Sequence, residues 1–154
     1  MKRWGKFSTL KERGEWVELQ FMAAAASRGY HISRPWGDSR PYDVGVEHGA
    51  DFIRVQVKST TDRRGAGYSC GFTPGRHSQD YTLDLVDLFA AYVIPENAWY
   101  LIPAALLLGE KRKPTLMLCP VSAGRDGCKH ERYREAWALL GKDRRELGRT
   151  RQLH

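Results

Sequence analysis

The chain has 154 residues, and its 25 Lys and Arg against 18 Asp and Glu leave a formal charge of +7. Apolar residues make up 42% and charged residues 28%, which is ordinary globular usage and excludes disorder for most of the chain. No long internal period recurs, which excludes a solenoid. One domain over 1–154 is expected, with its core at about 8–120 and a basic helical tail at about 130–154; such a chain buries roughly 70% of its unfolded surface.

The longest apolar stretches, 88–95 and 99–108, are too short to span a bilayer. The N-terminal residues carry charge but no apolar run, so no secretory leader is expected. Cys70, Cys119 and Cys128 form no CxxC pair, which argues against a zinc ribbon or disulfide framework and for free thiols in the cytoplasm. His31, His48, His77 and His130 show no paired ligand spacing, so no zinc is expected. The basic excess favours a polyanionic partner over a membrane, though such a charge also serves solubility alone.

In chain order, Ser8 to Arg28 reads as a helix. Thr9 and Glu12 have capping-box spacing, and Val17, Phe21 and Ala24 mark an apolar stripe that Leu10 and Leu19–Met22 widen. Gly29 is placed to end it. A short strand follows at 30–34. Strands at 42–47 and 52–58 flank the turn residues His48 to Asp51, which predicts an antiparallel hairpin. In the second strand Ile53, Val55 and Val57 share one face and Arg54, Gln56 and Lys58 the other. Residues 61–80 read as a Gly- and Arg-rich loop with one strand near Tyr68 to Phe72. Strands are expected at 87–93, 98–102 and 115–119, a helical turn at 104–109 and a helix at 132–140. Trp99 and Tyr100 read as core. This order describes an α/β or α+β domain with a mostly antiparallel sheet.

The hairpin carries the chemistry. It can bring Asp43 against Gln56 and Lys58, with Glu15 reaching over from the preceding helix. Hard oxygen donors of this kind suit Mg²⁺, which takes one or two carboxylates and completes its shell with water and phosphate. A neighbouring Lys can orient an attacking water and offset charge on a phosphate. The same residues also read as a turn cap and the solvated side of a half-buried strand. Glu18, one turn after Glu15, either shares this duty or is a surface residue. Ser59 and Thr60 either bond a phosphate or merely end a strand. Arg63, Arg64 and Tyr68, with Arg76 beyond, form either a nucleic-acid contact or a solvated loop. The basic N-terminal arm, Lys111–Lys113 and the arginines of the tail are open to the same two readings.

The ordered set Gly14-Glu15, Gly29-Tyr30, Arg34-Pro35-Trp36-Gly37-Asp38, Tyr42-Asp43, Arg54-Val55-Gln56-Val57-Lys58 and Trp99-Tyr100-Leu101-Ile102-Pro103 resembles the PD-(D/E)XK nuclease superfamily. It is most similar to the D…QxK branch, which takes in homing endonucleases and Holliday-junction-resolvase-like proteins, and the likeness covers about residues 10–105. The resemblance implies a restriction-endonuclease-like core, a mixed sheet flanked by helices. It implies a DNA endonuclease dependent on Mg²⁺ or Mn²⁺. Carried over, Glu15 is the helix acid, Asp43 the central metal ligand, Gln56 the residue in the second acidic place and Lys58 the catalytic lysine. Tyr42 stands where the family name has Pro. Gln56 cannot ionise, which implies weaker metal binding than a second acid gives. Homodimers or homotetramers are expected, because cutting two strands takes two sites. The alternative is a DNA-binding or assembly module with no turnover.

Overall fold

The computed structural model describes residues 6–75, 80–120 and 129–149. Helix α1 runs Leu10–Ala26. Thr9 caps it by accepting the Glu12 N–H at 3.1 Å, while the Glu12 carboxylate reaches back to the Ser8 N–H at 2.7 Å. Strand β1 (His31–Ser33) leads to β2 (Val44–His48), and β2 turns into β3 (Asp51–Thr60). His48 pairs with Asp51, so the turn is the two residues Gly49 and Ala50, tighter than the sequence suggests. Gly49 sits at φ +58, where glycine carries no steric penalty.

Strands β4 (Arg63–Arg64) and β5 (Gly67–Gly71) form a second hairpin. Strand β6 (Leu88–Val93) crosses to the main sheet, and β7 (Ala98–Pro103) folds back on it through a 3-10 turn at Ile94–Glu96. A one-turn helix α2 (Ala104–Leu107) precedes β8 (Thr115–Leu118). Two 3-10 turns, Glu131–Tyr133 and Trp137–Gly141, stand where one helix was expected. Glu135 between them lies at φ +51, which breaks any continuous helix. Helix α3 (Arg144–Arg149) closes the described chain.

The main sheet has the order β1-β2-β3-β6-β7, with β3 and β6 parallel and the other neighbours antiparallel. Strands β4, β5 and β8 make a second, three-stranded sheet that the sequence did not announce. The main sheet is covered on both faces. On one, Val17, Phe21 and Ala25 of α1 pack over Val44, Val55, Leu88 and Leu101, with Trp137 and Leu140 beside them. On the other, Phe89, Tyr100 and Ile102 meet Cys70, Phe72, Leu116 and Leu118 of the second sheet. Burial on two faces explains why β6 and β7 read as unbroken apolar runs. Trp99 and Tyr100 are core, as the sequence suggested. Leu10 and Leu19 are exposed instead, so the buried stripe of α1 is narrower than its apolar content. No helix among the described residues is long and apolar enough to cross a membrane.

Two local contacts set the sheet's geometry near the hairpin. Gly45 of β2 lies under the Phe52 ring, where an added Cβ would come within 2.2 Å of the ring. Asp87, at the start of β6, accepts the Arg54 main-chain N–H at 2.8 Å and the Arg54 Nε at 2.9 Å. Its other oxygen accepts Arg54 Nη2 and Arg144 Nε, each at 3.0 Å. Burial opposes ionisation of Asp87, but these bonds outweigh it and hold the carboxyl below its usual range. Asp87 therefore joins β3, β6 and α3. Asp87→Ala leaves the Arg54 guanidinium unpaired in a largely buried position and is expected to cost about 3 kcal/mol in urea unfolding. The stability Asp87 contributes is present above its unfolded pKa and is lost as pH falls through its lower folded value. An Asp87→Ala midpoint equal to wild type would show that the cluster contributes nothing.

Candidate active site

The site begins where β2 and β3 separate. The first β2–β3 pair on that side is Val44 with Val55. Beyond it Val57 has no strand carbonyl opposite its N–H. The Asp43 carboxylate fills that place, with Oδ2 accepting the Val57 N–H at 2.8 Å, while the Asp43 N–H donates to the Val55 carbonyl at 2.9 Å. Asp43 is thus fixed by main chain on both sides. Gln56 and Lys58 follow on β3 and share one face, as the strand period requires.

An open cleft of about 600 Å³ lies over this notch. Its walls are α1, the 34–43 loop and the end of β3; they bring together Glu15, Glu18, Asp43 and Gln56. Glu18, read from the sequence as either a surface residue or a partner of Glu15, belongs to the cleft. Its side chain is 19% exposed and pairs with Arg34 Nη2 at 3.0 Å. Burial, then the charges of Asp43 and Glu15, push its carboxyl up to about 7 against the opposing pull of Arg34. The Asp43 carboxyl is also raised, chiefly by burial; the Val57 N–H, Lys58 and Arg34 oppose the shift. Both carboxyls are therefore harder to ionise than free ones, chiefly because they are buried.

Lys58 sits behind the notch. Its Nζ donates to the Tyr81 hydroxyl at 2.8 Å and to the Thr73 carbonyl at 3.0 Å, and lies 4.9 Å from the Tyr81 ring centre. Burial lowers its pKa, with Asp43 and Cys70 acting the other way. Tyr81 is 4% exposed and lines the cleft, so its hydroxyl links the Lys58 ammonium to the cleft wall. Tyr81 and Arg34 both fall within the stretch that resembles the family, but their contacts with Lys58 and Glu18 could not be read from it, because those partners lie on other elements.

The residues marked for DNA contact fare differently. Arg63 and Arg64 are exposed, but on the short strand β4 rather than in a loop, and Arg64 pairs with Asp62 at 3.0 Å. Thr60 is 4% exposed, with its hydroxyl donating to the Ser69 carbonyl and accepting the Asp62 N–H at 3.0 Å. Tyr68 is 2% exposed and donates to Glu96 at 2.8 Å. Neither presents its polar atom to a phosphate; both tie the second sheet to the first. The alternation Tyr68, Cys70, Phe72 was the signal that Tyr68 faces inward. Ser59 is half-buried. Arg76, His77, Cys128 and the first and last five residues lie outside the described residues.

The donor set is chemically suited to a hard divalent cation. Asp43, Glu15 and Glu18 offer carboxylate oxygens and Gln56 an amide oxygen. Among the described residues no three His, Cys, Asp or Glu side chains are already drawn together as a metal cage. An incomplete protein shell accords with an ion that keeps several waters.

A family model for PD-(D/E)XK endonucleases matches residues 8–140. The chain belongs to the PD-(D/E)XK endonuclease family. Enzymes of this family generally use divalent metals. Among solved structures, the bacterial homing endonuclease I-Ssp6803I superposes with a TM-score of 0.72 at 21% identity, covering 88% of this chain and 93% of that one. That similarity establishes the restriction-endonuclease-like fold. Hjc, a Holliday junction resolvase from the archaeal hyperthermophile Archaeoglobus fulgidus, matches with a TM-score of 0.48 at 14% identity, over 70% of this chain and 84% of that one. No curated protein gave a significant match.

In this PD-(D/E)XK chain the raised Glu18 carboxyl has a consequence for the metal-free protein. Between its unfolded pKa near 4.5 and its folded value of about 7, the folded state binds the extra proton. Stability is then lost as pH rises through that window. Glu18→Gln removes the loss and should stabilise the metal-free protein at pH 8 by about 1 kcal/mol, solvent screening considered. The check is chemical denaturation at pH 5 and pH 8 in EDTA; a Glu18→Gln variant less stable than wild type at pH 8 would contradict the charge account.

Proposed function

We propose that the protein is a DNA endonuclease that hydrolyses phosphodiester bonds with the help of Mg²⁺ or Mn²⁺ at the Asp43 notch. The observation that carries this reading is the convergence of Asp43, Gln56, Glu15 and Glu18 on one cleft, with two carboxyls pushed up chiefly by burial. In the proposal Asp43 is the central ligand, Gln56 lends its amide oxygen, and Glu15 holds the ion directly or through water. Glu18 balances Arg34 and adds negative potential. The bound ion would polarise the phosphoryl oxygen and acidify a water.

The chain's own groups do the rest. Lys58, held by Tyr81 and Thr73, orients the attacking water and offsets charge as it builds on the phosphate. The water oxygen loses a proton to solvent and forms the new bond to phosphorus, the bridging ester bond breaks, and the departing alkoxide takes a proton from solvent or from the Lys58 ammonium. Its lowered pKa lets the Lys58 amine exchange a proton more readily than a free lysine. Two strands need two sites, so a homodimer or homotetramer is proposed. With DNA as substrate, the proposed compartment is the cytoplasm. Arg63 and Arg64 remain candidates for the DNA backbone.

The test is cleavage of supercoiled plasmid, linear duplex, single strand and a four-way junction with Mg²⁺ or Mn²⁺. Lys58→Ala should lower the rate by at least about 100-fold. Asp43→Asn should do the same and is the better variant at that position, because its amide oxygen still accepts the Val57 N–H. Asp43→Ala would orphan that buried donor and cost about 1–3 kcal/mol, so both positions also carry structure. Wild-type cleavage by a folded Lys58→Ala variant would overturn the assignment. DNA binding without turnover, indifferent to Lys58→Ala, would mark a non-catalytic module instead. Replacing Arg63 and Arg64 by Ala should reduce the slope of log affinity against log salt by about 2. An unchanged slope would remove β4 from the interface.

A further inference from the structure

Trp36 is 98% exposed, which sets it apart from the other described tryptophans. Trp16, Trp99 and Trp137 all pack against other rings. The indole stands on the 34–41 loop, whose residues Arg34, Pro35, Gly37, Asp38, Ser39, Arg40 and Pro41 form one wall of the acidic cleft. The loop is built to hold a shape. Arg34 is pinned to Glu18 of α1 at 3.0 Å, Pro35 and the buried Pro41 fix the chain near its two ends, and Gly37 at φ +68 makes the bend. A side chain this large and this exposed, on a pinned loop beside a reactive centre, is placed for a ligand rather than for the fold.

The surroundings decide which ligand. Along the chain the indole is flanked by Pro35 and Gly37, with the polar and charged residues Arg34, Asp38, Ser39 and Arg40 next to them on the same loop. An aromatic face between arginines suits a nucleic acid, with phosphates meeting the guanidiniums and a base meeting the ring. In an intact duplex the base faces are covered by their neighbours, and the grooves present edges only. An indole can reach a base face where the stack is already open.

Resting on the endonuclease reading, we propose that Trp36 stacks on an unpaired or unstacked base next to the phosphate held in the cleft. The preferred substrate is then DNA with a local break in base stacking beside the cut. Arg40 is the backbone contact that accompanies it.

The experiment measures affinity, at low salt and without Mg²⁺, for a fluorescent duplex with one unpaired base and for the fully paired duplex of the same sequence. Wild type, Trp36→Ala and Trp36→Phe are compared, with cleavage by wild type followed in parallel. Wild type should favour the interrupted duplex by about 10-fold or more. Trp36→Ala should lose that preference, Trp36→Phe should keep most of it, and all three should melt alike because the ring makes no packing contact. If wild type binds and cuts DNA but Trp36→Ala keeps the full preference, or wild type shows none, the inference fails and the endonuclease reading stands. If wild type neither binds nor cuts either duplex, both fail.

Discussion

One unpaired main-chain N–H organises the candidate site. Strand β3 outruns β2 at Val55, and Val57 is left without a carbonyl to accept its proton. A buried donor in that state is costly, and a carboxylate on the residue before β2 removes the cost. The requirement of the sheet and the requirement of the chemistry are met by the same side chain. The bond that satisfies Val57 also holds the Asp43 carboxylate at the wall of the cleft. Gln56 and Lys58 then take their places through the alternation of the strand, and Arg54 on the same face locks the strand to Asp87. A rigid support of this kind is what a reactive constellation needs.

Charge is the second consequence. Helix α1 lays its buried stripe on the sheet through Val17 and Phe21, which turns Glu15 and Glu18 toward Asp43. Burial raises both Glu18 and Asp43; the charges of Asp43 and Glu15 add to the shift of Glu18, and Arg34 opposes both. A cation bound there would favour the ionised form of both carboxyls. Lys58 has two of its three proton donors engaged by Tyr81 and Thr73. Its place is therefore set by the second core layer, through Tyr81 packed against Phe89, rather than by the acids.

What the sequence revealed follows the range of the interactions. The β2–β3 hairpin was legible because its period and its turn are contained in a short stretch, and Asp43, Gln56 and Lys58 came with it. Helix α1 was legible from its cap. The second sheet was not, because β5 pairs with β8 across the whole of β6 and β7, and a four-residue strand has no signature of such a partner. Tyr68 and Thr60 looked like surface residues in a Gly- and Arg-rich loop; the second sheet is what buries them. Glu18 looked like any helix Glu, since its neighbours Asp43 and Arg34 come from elsewhere in the chain. The break at Glu135 was hidden because its main-chain N–H bonds to Trp99 on β7, a tertiary contact that overrides a helical pattern.

The cation site proposed at the Asp43 notch would couple ion binding to folding through the largely buried Asp43 carboxylate. The most direct measurement is thermal unfolding of wild type and Asp43→Asn at pH 8, in EDTA and in millimolar Mg²⁺ or Mn²⁺. The account predicts that the cation raises the wild-type midpoint and leaves that of Asp43→Asn where it was, by the linkage between binding and folding. A wild-type midpoint that ignores both ions, or an equal rise in Asp43→Asn, would contradict it.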